Sequence, residues 1–178
     1  MTNEDKIAEV KQLITGHPDF PKPGILFRDI FPVLRNAATF KLLTDVLVDH
    51  VKTKCPDVKV VVGLESRGFL FGPIIAQELG ISFVPVRKAG KLPGETIQVT
   101  YSLEYGQDKF EMQKDSITPG AKVVIVDDLL ATGGTMKAAC ELLEKASGDV
   151  MECLVVIELL DLKGRDKVPK PVSSLIQY

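Results

Sequence analysis

Three short runs, VKVVVG at 58–63, VVIV at 123–126 and CLVVIEL at 153–159, are almost continuously apolar and only four to seven residues long. Each is too short for a buried helix and lacks the alternation of a strand with one wet face. Each therefore reads as a strand covered on both sides. Between them lie segments with helical character, about 68–79 and 135–146, and a further strand, SFVPV at 82–86. Strands alternating with helices imply an α/β fold, a mostly parallel twisted sheet covered by helices on both faces. Ligands of such sheets bind beyond the carboxyl ends of strands. The polar clusters that follow positions 63, 86 and 126 are thus expected to converge.

The remaining segments fit one domain over 1–178, without an internal repeat or low-complexity linker. Ile7, Val10, Leu13 and Ile14 mark an N-terminal helix over about 3–15, and Gly16 is a plausible stop. Phe40, Leu43, Val46, Leu47 and Val51 mark a second helix that ends at Cys55-Pro56. HPDFPKPGILFRDI at 17–30 has three prolines within seven residues and predicts an ordered but irregular loop. RKAGKLPGET at 87–96 is polar, basic and glycine-containing, as in a mobile surface loop. IQVTYSLEYG alternates and is followed by FEMQ, which predicts a β-hairpin. Residues 1–35 thus form a helix plus hood, and 87–113 a flexible loop and hairpin.

Composition narrows the function. A net charge of −2 disfavours a broad nucleic-acid-binding surface, though not a local phosphate site. Residues 1–15 lack the apolar core of a signal peptide, and no run of 18 apolar residues offers a membrane span. The three cysteines, Cys55, Cys140 and Cys153, are widely spaced and odd in number, which suggests buried thiols in a reducing, cytoplasmic compartment. With only His17 and His50 available, a histidine metal site or a Ser-His-Asp triad has little material, and both histidines read as structural or surface residues.

VVIVDDLLATGGT at 123–135 carries the most chemistry. Thr132-Gly133-Gly134-Thr135 joins a strand to a helix, where glycines turn backbone N–H groups toward an anion and the helix dipole favours it. The spacing matches neither a Walker A loop nor G-x-G-x-x-G. Asp127 and Asp128 just upstream are unsuited to an anion but suit a vicinal diol, each charge-assisted bond contributing roughly 1.5–3 kcal/mol. A diol beside a phosphate describes a ribose 5-phosphate. The plainer reading, a turn aspartate and a tight connection, suits an isolated Asp-Asp better than the whole pattern.

This pattern resembles the phosphoribosyl-diphosphate signature of type I phosphoribosyltransferases, and the likeness extends over nearly the whole chain. It rests also on PDFPKPGILFRDI (18–30), GLESRGFLFGP (63–73), RKAGKLPG (87–94), YSLEYG (101–106) and LKGR (162–165). The resemblance implies a transfer of the phosphoribosyl group from 5-phosphoribosyl 1-diphosphate to a purine. It assigns Asp127, Asp128, Ala131, Thr132, Gly133, Gly134 and Thr135 to the ribose and 5′-phosphate. Glu65, Ser66 and Arg67, in a loop where family members often carry a cis peptide, would hold the diphosphate with Arg87, Lys88 and Lys91. Taken alone, Arg67 would be a surface residue, and the three later cations would fit a solvated loop as well as a binding site. Family members place the Arg87 counterpart near a neighbouring subunit's site, which implies a homodimer. Glu104 and Tyr105 match the family's catalytic loop, with Glu104 taking the proton that the base loses. Phe27, Arg28 and Leu159 would hold the base; core packing is the alternative for the two apolar residues. Magnesium would accompany the diphosphate, held mainly by substrate and water rather than by a protein cage.

Relatives acting on 6-oxopurines carry an aspartate where Ala131 stands and a lysine where Gly134 stands. Their absence implies adenine as the base, with AMP and diphosphate as products and Glu104 as the available proton acceptor. Lys163 lies near the region where the 6-oxopurine enzymes use a lysine and stays unassigned. A regulator that senses the same sugar diphosphate is the competing reading. The acidic net charge and the lack of chain for a nucleic-acid-binding domain oppose it.

Overall fold

In the computed structural model, which describes residues 1–102 and 107–178, the chain starts with a capping box. The Thr2 hydroxyl accepts from the Asp5 backbone N–H at 3.2 Å while the Asp5 carboxylate accepts from the Thr2 N–H at 2.8 Å. Two of the helix's orphan donors are thereby satisfied, and α1 (Asn3–Leu13) follows. The chain divides into two compact units, Met1–His50 and Val51–Tyr178.

The first unit corrects the expectation of an irregular loop at 17–30. Two short strands, β1 (Thr15–Pro18) and β2 (Leu26–Asp29), form an antiparallel hairpin. The prolines permit this because none removes a needed ladder donor in mid-strand. Pro18 ends β1, and Pro21 and Pro23 lie in the connection, which is fastened by Gly24 N–H donating to Asp19 at 2.7 Å. A short helix, α2 (Phe31–Arg35), has a proline in its first turn, where no intrahelical donor is required. Asn36 then accepts from the Thr39 N–H at 3.1 Å and caps α3 (Ala37–Lys54).

The second unit contains β3 (Val60–Leu64), α4 (Gly72–Leu79), β4 (Ser82–Lys88), β5 (Thr96–Ser102), β6 (Gln107–Gln113), β7 (Lys122–Leu130), α5 (Gly134–Lys145), β8 (Asp149–Glu158) and β9 (Val172–Gln177). Its seven-stranded sheet has the order β5-β6-β4-β3-β7-β8-β9. Strands β4, β3, β7, β8 and β9 run parallel, and the hairpin β5–β6 is added antiparallel along β4. All five residues of β3 are buried, as an apolar run covered on both faces requires. The connection from β3 through α4 to β4 steps one way along the sheet, and that from β7 through α5 to β8 steps the other way. Right-handed crossovers in opposite directions put the two helices on opposite faces. The α/β reading of the sequence thus holds.

α5 buries Met136, Ala138, Ala139, Cys140, Leu142 and Leu143. Leu142 and Leu143 are wholly inaccessible, and their burial contributes roughly 1.5–3 kcal/mol each. Three further boundaries differ from expectation. β7 runs on to Leu130, so Asp127 and Asp128 lie inside a strand, with Asp127 registered against Val155 of β8. The segment after β3 forms a 3-10 turn at Arg67–Leu70 before α4 begins. β9 was not anticipated, because VSSLIQ is short and serine-bearing, yet it completes the sheet beside β8.

The serines of β9 serve buried acids of β8. Ser174 donates to Glu158 at 2.6 Å, and Arg165 Nε donates to the same carboxylate at 3.0 Å. Glu158 is 3% exposed, and the Arg165 guanidinium, ahead of the opposing effect of burial, holds its carboxyl below the usual glutamate range. Glu158→Gln should lower stability by about 1–2 kcal/mol at neutral pH, since it weakens the bonds made to a buried carboxylate whose Arg165 partner is itself exposed. A depressed folded-state pKa stabilises above the unfolded glutamate value near ~4.3 and loses that effect as pH falls through the folded one. The gap between wild type and variant in urea unfolding should therefore close in acid; a gap unchanged from pH 7 to pH 3 would count against the pair.

Candidate active site

The two crossovers leave β3 and β7 side by side with their following loops turned apart. That is a topological switch point, where an α/β sheet opens a crevice beyond its carboxyl edge. A cleft of about 530 Å³ lies there, and its lining is drawn from the ends of β3, β4 and β7, the start of α5 and the β5–β6 hairpin.

Most of the residues singled out in the sequence meet in this cleft. Glu65, Ser66 and Arg67 enter from the end of β3, Lys88 and Lys91 from the end of β4, and Asp127, Asp128 and 131–135 from β7 and its loop. The Glu65–Ser66 peptide bond is cis. Arg87 adjoins them through Glu65, to which its Nε donates at 3.2 Å. Leu159 follows β8, its N–H donating to the carbonyl of Leu130 at 3.0 Å. Phe27 and Arg28 belong to β2 of the first unit, where Phe27 meets Phe20 edge-on with ring centroids 5.2 Å apart. Glu104 and Tyr105 lie outside the described residues.

The loop after β7 owes its shape to a backbone-to-backbone contact. Gly133 has φ +82° and precedes α5, whose first interior bond runs from the Lys137 N–H to the Gly133 carbonyl at 2.9 Å. A Cβ on Gly133 would collide with the Gly164 carbonyl, and one on Gly164 with the Ala131 carbonyl and, at 2.9 Å, with the Gly133 nitrogen. The strand-to-helix loop and the LKGR segment therefore touch main chain to main chain. Thr132, Gly133, Gly134 and Thr135 border the cleft at the amino end of a helix without a side-chain cap, a setting that favours an anion.

Every cation of the cleft faces a carboxylate. Arg67 donates from Nε to Asp128, which is 6% exposed, and Lys91 Nζ donates to Glu65. Lys88 Nζ lies 2.9 Å from Asp108, and the Lys88 backbone N–H donates to Glu65 at 2.9 Å. Burial works to raise the Glu65 carboxyl, but the bonds from Lys91, the Lys88 backbone and Arg87 outweigh it and hold it below the usual range. Lys88 does the same, foremost among its neighbours, for Asp108. Asp127 goes the other way: burial and then the adjacent Asp128 carboxylate push it well above the ordinary aspartate value. Its Oδ1 accepts the Asp128 backbone N–H at 2.9 Å. The cleft thus has a basic part, supplied by the residues after β3 and β4, and an acidic part at the end of β7.

The sequence reading missed Tyr101 and Asp108, which also line the cleft. They are cross-strand partners in the β5–β6 register, and the Tyr101 hydroxyl donates to Asp108 at 3.4 Å. Burial, followed by Asp108, pushes the Tyr101 hydroxyl up to about 12, so it stays protonated as a donor. Their signal was the alternation within the two strands, since both line the cleft from facing positions of β5 and β6.

Residues 33–177 match the family model of the phosphoribosyl transferase domain. An adenine phosphoribosyltransferase of Homo sapiens is 52% identical over 177 residues, covering 98% of each chain. One of Drosophila pseudoobscura pseudoobscura is 54% identical over 175 residues, 98% of this chain and 97% of its own. The crystal structure of adenine phosphoribosyltransferase from Saccharomyces cerevisiae, complexed with an imino-altritol bisphosphate and adenine, superposes with a TM-score of 0.93 at 48% identity, covering 96% of this chain and 98% of its own. A cleft at the switch point, an acidic pair at the end of β7 and a likeness that runs from end to end agree: the chain belongs to the phosphoribosyl transferase family, among its adenine phosphoribosyltransferases.

Proposed function

We infer that this chain transfers the 5-phosphoribosyl group of 5-phosphoribosyl 1-diphosphate to adenine, giving AMP and diphosphate, a purine salvage step. The carrying observation is that one cleft joins the Asp127–Asp128 pair, the 131–135 loop and the basic residues that follow β3 and β4. These are the three kinds of group that a ribose diol, a 5′-phosphate and a diphosphate on one sugar require. The relatives named for adenine transfer agree with it over the full chain.

The division of labour is our proposal. Thr132, Gly133, Gly134 and Thr135 hold the 5′-phosphate with backbone N–H groups and hydroxyls. Asp127 and Asp128 accept the ribose hydroxyls, and ionised they favour positive charge that develops on the ring as the bond to diphosphate breaks. Arg67, Lys88 and Lys91 exchange their carboxylate partners for the departing diphosphate. Magnesium would accompany that substrate, held mainly by substrate and water rather than by a protein cage, and would supply neutralisation of the diphosphate's negative charge. Phe27, Arg28 and Leu159 are assigned to the base. The adenine nitrogen attacks the anomeric carbon, the carbon–oxygen bond to diphosphate breaks, and the ring proton passes to the Glu104 carboxylate. Tyr105 is assigned with Glu104 to the catalytic residues. A second copy of the chain, with Arg87 near its site, is the proposed partner, and the cytoplasm the proposed location.

Three outcomes test this reading. Incubated with magnesium, the sugar diphosphate and equal adenine, hypoxanthine and guanine, the enzyme should form AMP almost alone; comparable IMP or GMP by chromatography would refute the choice of base. Glu104→Gln should reduce turnover with adenine by about 10²–10⁴-fold, the usual worth of a positioned proton acceptor, and near-normal turnover would remove Glu104 from that role. Gly164→Ala should displace the backbone at Ala131 and Gly133 and raise the KM for the sugar diphosphate roughly 10-fold or more. An unaltered KM in a folded variant would show that the main-chain contact does not shape the phosphate loop.

A further inference from the structure

One buried carboxylate beside the cleft has no part in the reaction described above. Glu111, in β6, is 2% exposed. Its register places it opposite Arg87 of β4 on one side and Gln98 of β5 on the other. Burial on this scale costs several kcal/mol for an ion unless its oxygens are well occupied. They are: Oε1 accepts the backbone N–H groups of Lys91 at 2.8 Å and Leu92 at 2.9 Å, and Oε2 accepts from Gln98 Nε2 at 3.1 Å. Burial raises the Glu111 carboxyl, but the N–H groups of Leu92, Gly90 and Lys91 outweigh it and hold the group below the ordinary glutamate range.

Apolar packing alone would be served better by a leucine at this position. What the carboxylate does that a leucine cannot is gather successive backbone N–H groups of a turn, folding residues 90–92 back over the sheet. That turn contains Gly90 at φ +84°. It carries Lys91, whose carbonyl accepts from Arg87 Nη1 at 3.3 Å and whose ammonium reaches Glu65 at the cleft wall. Displacing the backbone of residue 91 would therefore move the Lys91 ammonium and loosen one contact of Arg87 together.

We propose that Glu111 is a positioning residue for the diphosphate half of the site: its buried carboxylate fixes the 90–92 turn so that Lys91 is presented to the substrate's diphosphate. It touches no substrate and acts through Lys91. The proposal rests on the sugar-diphosphate reading of the cleft and is tested so that the two can fail separately.

Steady-state constants for both substrates should be measured for wild type, Glu111→Gln, Lys91→Ala and the double variant. Calorimetric binding of inorganic diphosphate with magnesium supplies a readout free of turnover. Glu111→Gln keeps the volume but weakens the acceptor. It should raise the KM for the sugar diphosphate about 10-fold, with kcat and the adenine KM changed less than about 2-fold. Inorganic diphosphate should bind correspondingly more weakly. In the Lys91→Ala background the same change should add less than about 2-fold, because the residue through which it acts is gone. Glu111→Asp keeps the charge but shortens the reach, and serves if the amide variant does not fold; its sugar-diphosphate KM should also rise while the adenine KM holds. An unchanged sugar-diphosphate KM, an equal rise in both KM values, or a full effect without Lys91 would overturn the proposal. Wild-type enzyme that makes no AMP would sink the functional reading instead, and diphosphate binding by the variants would then decide the role of Glu111.

Discussion

The reversal of crossover direction between β3 and β7 is the constraint on which the site depends. Right-handed connections force α4 and α5 to opposite faces once β3 leads to β4 on one side and β7 to β8 on the other. The loops leaving β3 and β7 then diverge, and the sheet edge between them cannot be closed by either helix. Residues 65–67 and 131–135 border the resulting crevice because they are the first residues free of the parallel ladder. Among the described residues, no other pair of adjacent parallel strands in the sheet has this geometry.

Charge is organised around that crevice in pairs. Glu65 accepts from Arg87, Lys91 and the Lys88 backbone, Asp128 from Arg67, and Asp108 from Lys88. These carboxylates orient the cations and lessen their mutual repulsion. Each such contact is partly exposed on its basic side, so its net stabilisation is modest and little energy opposes a change of partner. The acidic pair differs. Asp127 and Asp128 adjoin in one strand, and burial with mutual repulsion raises Asp127, a cost that a bound diol's hydroxyls would offset.

Two supports outside the cleft keep its walls in place. The Glu158–Arg165 pair holds the segment bearing Gly164, and that glycine rests directly on the backbone of Ala131 and Gly133. On the opposite wall Glu111 gathers the turn that carries Lys91. Both devices use a buried acid of a strand to fix a neighbouring irregular segment, because a loop near the surface has few apolar contacts of its own to define it.

The glutamates that support the loops were invisible in the sequence, whereas the site they serve was not. VVIV, CLVVI and the helical segments between them point to a two-sided parallel sheet, since apolar runs that short are too brief for buried helices and alternate with helical segments. The 123–135 pattern and the basic residues after position 86 also carry their chemistry locally, in a glycine loop, an acidic pair and adjacent cations. The β1–β2 hairpin was hidden by prolines whose harmless places at a strand end and in a turn only the fold reveals. β9 was hidden because its serines are polar by composition, yet bond to Glu152 and Glu158 once beside β8. Glu111, Tyr101 and Asp108 acquire roles only from cross-strand register, which joins residues distant in sequence. The sequence by itself determined the class of sheet and the ligand-binding vocabulary, because periodicity and short motifs are local properties. Tertiary structure decided which acids pair with a cation, which support a loop and which adjoin one another in a buried strand, because burial and pairing depend on what the other strands bring alongside.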